Sequence, residues 1–368
     1  ITAPITSTTP ASHEIDIYWP LPFRLSYIAT WGQKPIFPSP TWYWAIAGVV
    51  LVIGAVMVWF TPATRERRLY ATPAATLAGL LCIATSFSTE AFTDTYNDPT
   101  QDFTAESVSR GMESFQANCI GCHGPMGEGN GPLSKDLKDA KGVVVPPADL
   151  TAPHVGTHTI GDIFHWLTHG SANAVMPSFA QVLDTDDRWD VINYLLVLSS
   201  TNRSRFIGPA GMIQWLIAPD FALVDPKEET TSFFKLRGKP TLLSFARCTA
   251  SGEAGKALAD SLMIAAEAAK AASVNHVTVF TGDCPEAAKG REALHPKAVE
   301  HAYSVMNRYP NEPYTDQIDE SHFLIDRSGY IRARFRHFAP DDGNRTQFTS
   351  QAAMMAQEPL VEINLHSH

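Results

Sequence analysis

The chain is poor in cysteine and in basic residues. Its 368 residues include five cysteines, too few for a fold held together by disulfides. Lysine and arginine total 28 against 38 aspartate and glutamate residues, which gives a formal net charge of -10. Nucleic-acid-binding proteins need a basic surface, so that class is excluded and no nucleic acid partner is expected. The first residue is Ile1 rather than methionine, and we interpret the sequence as a fragment of a longer chain.

Two of the cysteines lie in one short motif, Cys119-Ile120-Gly121-Cys122-His123. Two thiols one helical turn apart can add across the vinyl groups of haem, and an imidazole directly after them can bind the iron. A zinc site would need a second pair of ligands nearby, and none follows. The motif therefore predicts covalent haem c on Cys119 and Cys122, with His123 as the proximal axial ligand.

A second axial ligand is expected further along the chain. Met176 precedes Pro177, and a thioether held by a rigid Met-Pro turn can reach the far side of the iron. We therefore predict Met176 as the distal ligand. The competing candidates are four histidines of the same region: His154, His158, His165 and His169. His165 and His169 are four residues apart on one predicted helix, so they share a face that could also bind a surface metal.

Amphipathic stretches flank the haem motif. Thr104 is expected to cap a helix that ends near Ala117, and Thr185 to cap a second apolar-striped helix. Two helices crossing beside a haem motif resemble the class I cytochrome c fold. The resemblance covers about residues 104–200 and implies an all-α domain at 99–200. It also implies electron transfer, so an electron carrier is expected rather than an enzyme with its own catalytic residues.

Two uncharged runs precede this domain. Residues 42–60 carry aromatic side chains at both ends, and as a helix they would be ~28 Å long, which predicts a transmembrane helix. Arg65, Arg67 and Arg68 follow, and residues 71–89 are again uncharged. The positive-inside rule places the arginines in the cytoplasm and predicts a second transmembrane helix over about 71–89. Residues 1–98 are thus expected to lie in a bacterial inner membrane, with the haem and C-terminal domains in the periplasm.

The N-terminal segment carries a family resemblance. Residues 19–26, the two uncharged runs and residues 91–96 together resemble the end of a CopD-type copper resistance membrane domain fused to a cytochrome c. The resemblance implies copper handling across the inner membrane. It supports an alternative function, in which a copper transport or resistance protein uses the haem as a redox accessory.

The periodicity changes after a linker at 201–230. An apolar run at 241–246, a helical stretch at 251–272 and a β-branched run at 276–281 predict a β-α-β unit. Residues 322–335 alternate around a Ser-Gly turn and predict a hairpin. This order resembles a thioredoxin-like fold of the peroxiredoxin, TlpA or Sco type at 231–345. Residues 346–368 are expected to form a mobile acidic tail, in which a short helix could include Met354 and Met355.

Cys248 follows the first predicted strand of this domain. The second alternative function is a thiol-dependent redox enzyme built on this domain through Cys248. Ser251 stands where a thioredoxin-type enzyme would have its resolving cysteine, which argues against this alternative. Three interpretations of Cys248 stay open. It pairs with Cys284 in a disulfide, it binds copper(I) together with Cys284 and His322, or it is a half-buried thiol without a function.

The predicted fold class is therefore multidomain, with transmembrane helices, an all-α class I cytochrome c domain and an α/β thioredoxin-like domain. The function expected first is electron transfer by a membrane-anchored monohaem cytochrome c. Its partner would be a redox protein or a membrane electron donor or acceptor. Haem c is the expected cofactor, and copper is the second candidate.

Overall fold

The protein was analysed as a computed structural model, which divides into two compact units, residues 1–97 and 98–368. The structure describes residues 23–25, 41–62, 64–86, 88–90, 95, 97–152, 155, 158–171, 173–204, 207–208, 211, 216–224, 229–248, 252–282, 292–308, 312, 315–339 and 343–361.

The first unit contains two helices and a short pair of strands. Strand β1 (Phe23–Leu25) pairs antiparallel with β2 (Ser88–Glu90). Between them lie α1 (Thr41–Phe60), a π-helical turn over 67–71, and α2 (Thr72–Ser86). The two helices touch at Gly48 and Gly79, where a Cβ on Gly48 would lie 2.5 Å from the Gly79 carbonyl oxygen.

The prediction of transmembrane helices is wrong for the described part of the chain, in which no helix is long and apolar enough to cross a membrane. Helix α2 has 15 residues, so it is ~22 Å long against ~30 Å of hydrocarbon. The uncharged run at 71–89 overlaps the π-helical turn at its start and β2 at its end, so the helix occupies only its middle.

The haem-motif region of the second unit is all-α, as predicted. Its helices are α3 (Ala105–Asn118), α4 (Ile120–His123), α5 (Ile160–His169), α6 (Thr185–Leu198) and α7 (Thr201–Ser204). The Thr104 side chain caps α3 by accepting the Ser107 backbone N–H, as expected. The predicted cap of α6 is wrong by one residue. Asp184, not Thr185, accepts the Asp187 N–H, and the Asp187 carboxylate accepts the Asp184 N–H in return.

Helices α3 and α6 cross at a glycine. A Cβ on Gly111 would lie 1.9 Å from the Asp190 carbonyl oxygen, so only glycine permits this separation. Polar side chains join the two helices beside the crossing. The Ser107 hydroxyl donates to the Asp190 carboxylate at 2.6 Å, and the Arg110 Nε donates to its other oxygen at 2.6 Å. The crossing fixes where α3 ends, and the haem motif follows that end directly.

The C-terminal part is an α/β fold. Strands β3 (Ala222–Val224), β4 (Thr230–Ser232) and the later β7 (Glu292–Ala293) form one small sheet. A second sheet is built from β5 (Thr241–Arg247), β6 (Asn275–Thr281), β8 (Glu320–Ile325) and β9 (Ile331–Phe335) in the order β6-β5-β8-β9. Helices α8 (Glu253–Ala271), α9 (Pro296–Ser304) and α10 (Asn344–Gln357) accompany it.

The strand directions confirm the predicted β-α-β unit and hairpin. Strands β5 and β6 are parallel and joined through α8, while β8 and β9 are antiparallel. A central strand with one parallel and one antiparallel neighbour, followed by a hairpin and a helix, is the thioredoxin-like arrangement. The segments on either side of the thioredoxin-like domain contain regular structure. The segment predicted as a linker contains α7 and β3, and the one predicted as a mobile tail contains most of α10, with Phe348, Ala352 and Met355 buried.

The haem domain and the thioredoxin-like domain share one hydrophobic core. Buried side chains of α3 and α6 belong to the same cluster as those of β5, β8 and α9. The Ala105 N–H donates to the Asp220 carbonyl at 2.7 Å, and Ser109 on α3 lies 3.3 Å from the Nδ1 of His301 on α9. Helix α3 therefore packs on α6 inside its own domain and on α9 of the other, which joins the two domains firmly.

Gly111→Ala tests the helix crossing. Alanine favours an isolated helix over glycine by ~1 kcal/mol, so a local effect would stabilise the protein. Because the added methyl group meets the Asp190 carbonyl, we instead expect the free energy of unfolding to fall by about 3 kcal/mol. Urea denaturation followed by circular dichroism measures it. Gly208→Ala is the matched control, since a Cβ there has nothing within 4 Å. Equal stability of the two variants would contradict the proposed constraint.

Candidate functional site

The haem-attachment motif lies at the end of α3 and in the short helix α4. The Cys119 N–H donates to the Phe115 carbonyl at 2.8 Å, so α3 continues to the first thiol before the chain turns. The His123 N–H then donates to the Cys119 carbonyl at 2.9 Å, which closes one helical turn over the motif. Cys119 and Cys122 are free thiols, as haem attachment requires. The motif therefore presents both thiols and the imidazole from a single turn.

His123 is held in one tautomer. Its Nδ1 lies 3.0 Å from the Ala148 carbonyl oxygen, which can only accept, so Nδ1 carries the proton. The Nε2 lone pair is then available to a metal. Burial lowers the pKa of His123, against the raising effect of the Ala148 hydrogen bond, so the ring is neutral at neutral pH. The sequence motif identifies His123 but not its partner, because Ala148 contributes only a backbone atom.

Cys119 does not have the properties of a zinc or redox thiolate. Burial, followed by the charge of Cys122, raises the pKa of the Cys119 thiol to about 12. Metal binding and disulfide exchange both use the thiolate, which this environment disfavours. The neutral Cys119 thiol argues against a redox dithiol, and the lack of a group of three or more metal-binding side chains among the described residues argues against zinc.

Met176 lies in a closed loop after α5. The Met176 N–H donates to the Ser171 hydroxyl at 2.9 Å, and the Ser171 N–H donates to the Met176 carbonyl at 3.0 Å. Gly170 has a φ of +82°, and a Cβ there would lie 2.5 Å from the Met176 carbonyl oxygen. Ala174 adopts a φ of 58°, which is unusual for a residue with a side chain. These contacts fix the Met176 backbone and leave its half-buried thioether packed against the core.

A buried indole supports the fit of a haem. Trp189 on α6 is 2% exposed and stacks on Phe164 with ring centroids 4.5 Å apart. Its Nε1 is buried and has no acceptor within the described part of the chain. A buried N–H normally has a partner, and a haem propionate is an acceptor that the cofactor itself would supply. With His123 and Cys119, this nitrogen makes the residues present compatible with haem c.

The competing histidines are placed in different ways. His154 lies outside the described residues. His158 packs edge-on against Trp166, with ring centroids 4.8 Å apart. His165 and His169 pair with each other on α5, with ring centroids 4.7 Å apart. The choice of Met176 over these histidines as distal ligand stays a prediction.

Cys248 is disulfide-bonded. Its backbone N–H donates to the Thr281 carbonyl at 2.8 Å, so it lies just past the carboxyl ends of the parallel strands β5 and β6. Cys284, its predicted partner, lies outside the described residues, as does Ser251. The interpretation of Cys248 as an isolated thiol is wrong, because the sulfur is in a disulfide.

The predicted copper site does not form among the described residues, where no group of three or more metal-binding side chains is placed to hold an ion. His322 is fully buried, and both of its ring nitrogens are engaged. Its Nδ1 lies 2.8 Å from the Ser244 hydroxyl and its Nε2 3.0 Å from the Glu320 carboxylate. Cys248 is in a disulfide and therefore offers no thiolate. Copper at these residues is not supported.

His322 belongs instead to a buried polar chain that crosses the sheet. The Ser244 hydroxyl also lies 2.9 Å from the His276 Nε2 on β6, and Glu320 contacts His337 at 3.1 Å. An ionised Glu320 accepts from His322 Nε2–H, so His322 Nδ1 accepts from Ser244, and Ser244 accepts from His276. Each hydrogen bond thus has one direction. The sequence alone did not identify this hydrogen-bonded network. Its signal in the sequence is the presence of polar residues at inward positions of apolar strands.

The buried histidines are neutral in the folded protein. Burial, followed by the charge of His322, lowers the pKa of His276 to about 4, and burial lowers the pKa of His322 as well. Burial acts to raise the pKa of Glu320, but hydrogen bonds from His322, Ser261 and His337 outweigh it and lower the pKa. All three shifts favour the state with fewer protons.

The site as a whole combines two thiols, a metal-competent imidazole and a constrained methionine on one all-α domain. That set defines a covalent haem c-binding domain. Comparison with known families agrees, since the family model for cytochrome c matches residues 108–199. The matched range contains Cys119, Cys122, His123 and Met176. The chain therefore carries a cytochrome c domain. The match does not reach the N-terminal segment, so the CopD-type resemblance stays a prediction.

No curated protein matches the chain. Among solved structures, similarity is found to the reducing HAO-like protein complex of Kuenenia stuttgartiensis, with 26% identity and a TM-score of 0.27 over 37% of this chain. The match spans 61% of that structure's chain, less than two thirds of its length.

Two other similar structures are described as a thiol:disulfide interchange protein and as a cytochrome c oxidase assembly protein. A thioredoxin family thiol:disulfide interchange protein from Chlorobium tepidum TLS has 13% identity and a TM-score of 0.29, over 40% of this chain and 99% of that one. BsSco, a member of the Sco family of cytochrome c oxidase assembly proteins, has 12% identity and a TM-score of 0.30, over 40% and 96%. Because these TM-scores are below 0.5, the thioredoxin-like assignment rests on the strand order.

The stability of the thioredoxin-like domain should depend on pH through His276. In the unfolded chain its pKa is near 6.5 and in the folded protein about 4, so the unfolded state binds more protons between these values. Above pH 6.5 the pKa difference of His276 does not lower the free energy of unfolding. As the pH falls from 6.5 toward 4, the free energy of unfolding decreases, because the unfolded state binds the extra proton. We expect the urea midpoint to fall between pH 7.5 and pH 5, and to fall less in His276→Gln, which keeps an N–H for Ser244. An equal fall in both proteins would show that other groups control acid stability.

Proposed function

We propose that the protein is a monohaem c-type cytochrome that transfers electrons in an oxidising compartment outside the cytoplasm. Haem c would be attached through Cys119 and Cys122, with His123 and Met176 as axial ligands. The observation that carries the proposal is the His123–Ala148 hydrogen bond, which orients the imidazole and leaves Nε2 for the iron. The cytochrome c family match over 108–199 supports the cofactor.

The protein's own residues support electron transfer by fixing the positions of the two axial ligands. When bound, haem c supplies a reversible one-electron couple at its iron. The Ser171–Met176 hydrogen bonds and the Gly170 contact hold the thioether side of the site. The Ala148 carbonyl holds the imidazole side, and Phe115 and Trp189 exclude water. Fixed ligands and a dry surrounding keep the reorganisation on electron transfer small.

The partner we propose is another redox protein. The described residues present no substrate-activating constellation beside the haem motif, and an outer-sphere carrier needs none. The measurable consequence is rapid oxidation and reduction by small one-electron reagents without consumption of a substrate.

Met176→Ala tests the axial ligand. In the purified holoprotein we expect the wild type to give a low-spin c-type spectrum with a Met-to-iron charge-transfer band, and the variant to lose that band and become high-spin. Met263→Ala is the matched control, because Met263 lies on α8 and is 56% exposed. A low-spin spectrum that persists in Met176→Ala would assign the distal position to another side chain, and the three described histidines would then be replaced one at a time.

We further propose thiol–disulfide exchange at Cys248 as a second candidate function. The specific observation is a disulfide at the carboxyl end of β5 in a thioredoxin-like fold. In such exchange an external thiolate attacks one sulfur, the S–S bond breaks, and the released thiolate takes up a proton. The second thiolate of the external dithiol then attacks the resulting mixed disulfide and releases the other protein sulfur, which is also protonated. The external dithiol is thereby oxidised and the protein disulfide reduced.

Thiol counting tests this candidate. Dithiothreitol treatment of the folded holoprotein should expose two additional thiols to a chromogenic reagent, and Cys248→Ser should remove this gain while leaving the haem spectrum unchanged. Cys82→Ser is the control, since Cys82 is a free cysteine. A disulfide that resists dithiothreitol in the folded protein would identify a structural cross-link and exclude the exchange activity.

A further inference from the structure

Helix α5 carries two histidines that neither proposed function uses. His165 and His169 are four positions apart, so they lie one above the other on the same helical face. Their ring centroids are 4.7 Å apart, and the ring planes are inclined by 43°. His165 is half-buried and His169 is exposed, so the pair opens to solvent at one side. We propose that His165 and His169 form a bidentate site for a divalent transition-metal ion.

The ring spacing fits an ion shared by two imidazoles. A metal–nitrogen bond of ~2.0 Å plus ~1.1 Å from nitrogen to ring centre places each centre ~3.1 Å from the ion. If the two metal–nitrogen bonds meet at a right angle, the ring centres lie ~4.4 Å apart, close to the observed 4.7 Å. The 4.7 Å spacing therefore corresponds to neighbouring positions in an octahedral or square coordination shell, with water in the remaining positions.

The ligand set selects the class of ion. Imidazole nitrogens favour Cu²⁺, Ni²⁺ and Zn²⁺ over Ca²⁺ and Mg²⁺, which prefer oxygen. Asp162 lies one turn before His165 on the same helix and adds negative charge near the pair. The site is distinct from the expected copper site at Cys248, and it uses no sulfur.

A bound ion would act on the segment that leads to Met176. The last turn of α5 is tied to the Met176 loop, because the Ser178 hydroxyl donates to the Thr168 carbonyl and the Phe179 N–H donates to the Leu167 carbonyl at 2.9 Å. An ion bridging His165 and His169 joins this last turn to the turn before it. Metal binding should therefore stabilise the end of α5 and the loop that follows.

Two measurements on the full-length holoprotein test the site. Calorimetric titration with ZnCl₂ should show one ion bound with a Kd in the micromolar range, and His165→Gln and His169→Gln should each weaken it about tenfold or more. Oxidised protein with one equivalent of CuSO₄ should give a copper electron paramagnetic resonance signal split by two nitrogens. His295→Gln is the matched control, since His295 is an exposed histidine far along the chain from α5.

The outcomes separate the proposal from its alternatives. Unchanged zinc affinity in both α5 variants would overturn it and direct the search to other histidines. Loss of binding in His295→Gln, but not in the α5 variants, would also overturn it. A third readout needs no variant: zinc should raise the melting temperature of the wild type, and the absence of any zinc-dependent shift would overturn the proposal. If His165 or His169 were instead the distal haem ligand, its replacement would change the haem spectrum together with the zinc affinity, whereas the proposed site predicts an unchanged haem spectrum in both variants.

Discussion

The close crossing of α3 and α6 at Gly111 is the constraint on which the second unit depends. The missing side chain lets the two helices approach until a backbone carbonyl occupies the space where a Cβ would lie. Asp190 on α6 then accepts hydrogen bonds from Ser107 and Arg110 on α3, and these bonds fix the angle between the two helices. Because Cys119 ends α3, the crossing also sets where both thiols and the proximal imidazole emerge. A wider separation would move the haem motif away from Trp189 and the core beneath it.

The same helix links the two domains. Its other side packs on α9, and the buried residues of both domains form one cluster. Domains within a chain often move against each other across small polar interfaces. Here a continuous apolar core and the backbone bonds between Phe103, Ala105 and Asp220 join them. The haem-binding domain and the disulfide-bearing domain therefore pack against each other through a shared core.

Buried polarity is used differently in the two domains. In the haem domain, polar atoms such as the Trp189 Nε1 and the His123 Nε2 are left for a cofactor. In the thioredoxin-like domain, His276, Ser244, His322 and Glu320 satisfy one another across three strands. Both ring nitrogens of His322 are engaged in these hydrogen bonds, so neither is available to a metal. That is why His322, which looks like a ligand in the sequence, is part of the sheet's own structure.

Local chemistry is what the sequence alone determined. Cys119, Cys122 and His123 follow from covalent geometry within one helical turn, and the Thr104 cap and the β-α-β order follow from short-range periodicity. Contacts between distant segments needed the tertiary structure. Ala148 contributes only a carbonyl oxygen to the haem site. Asp184 rather than Thr185 caps α6, because Asp184 and Asp187 form reciprocal hydrogen bonds. Helix α10 buries one face in the region whose composition indicated a mobile tail. The membrane spans were predicted from apolar content alone. The second predicted span contains a helix of only 15 residues, because its two ends fold into a π-helical turn and a strand. Sequence periodicity reports which residues prefer burial, but their partners are decided by the packing of segments far apart in the chain.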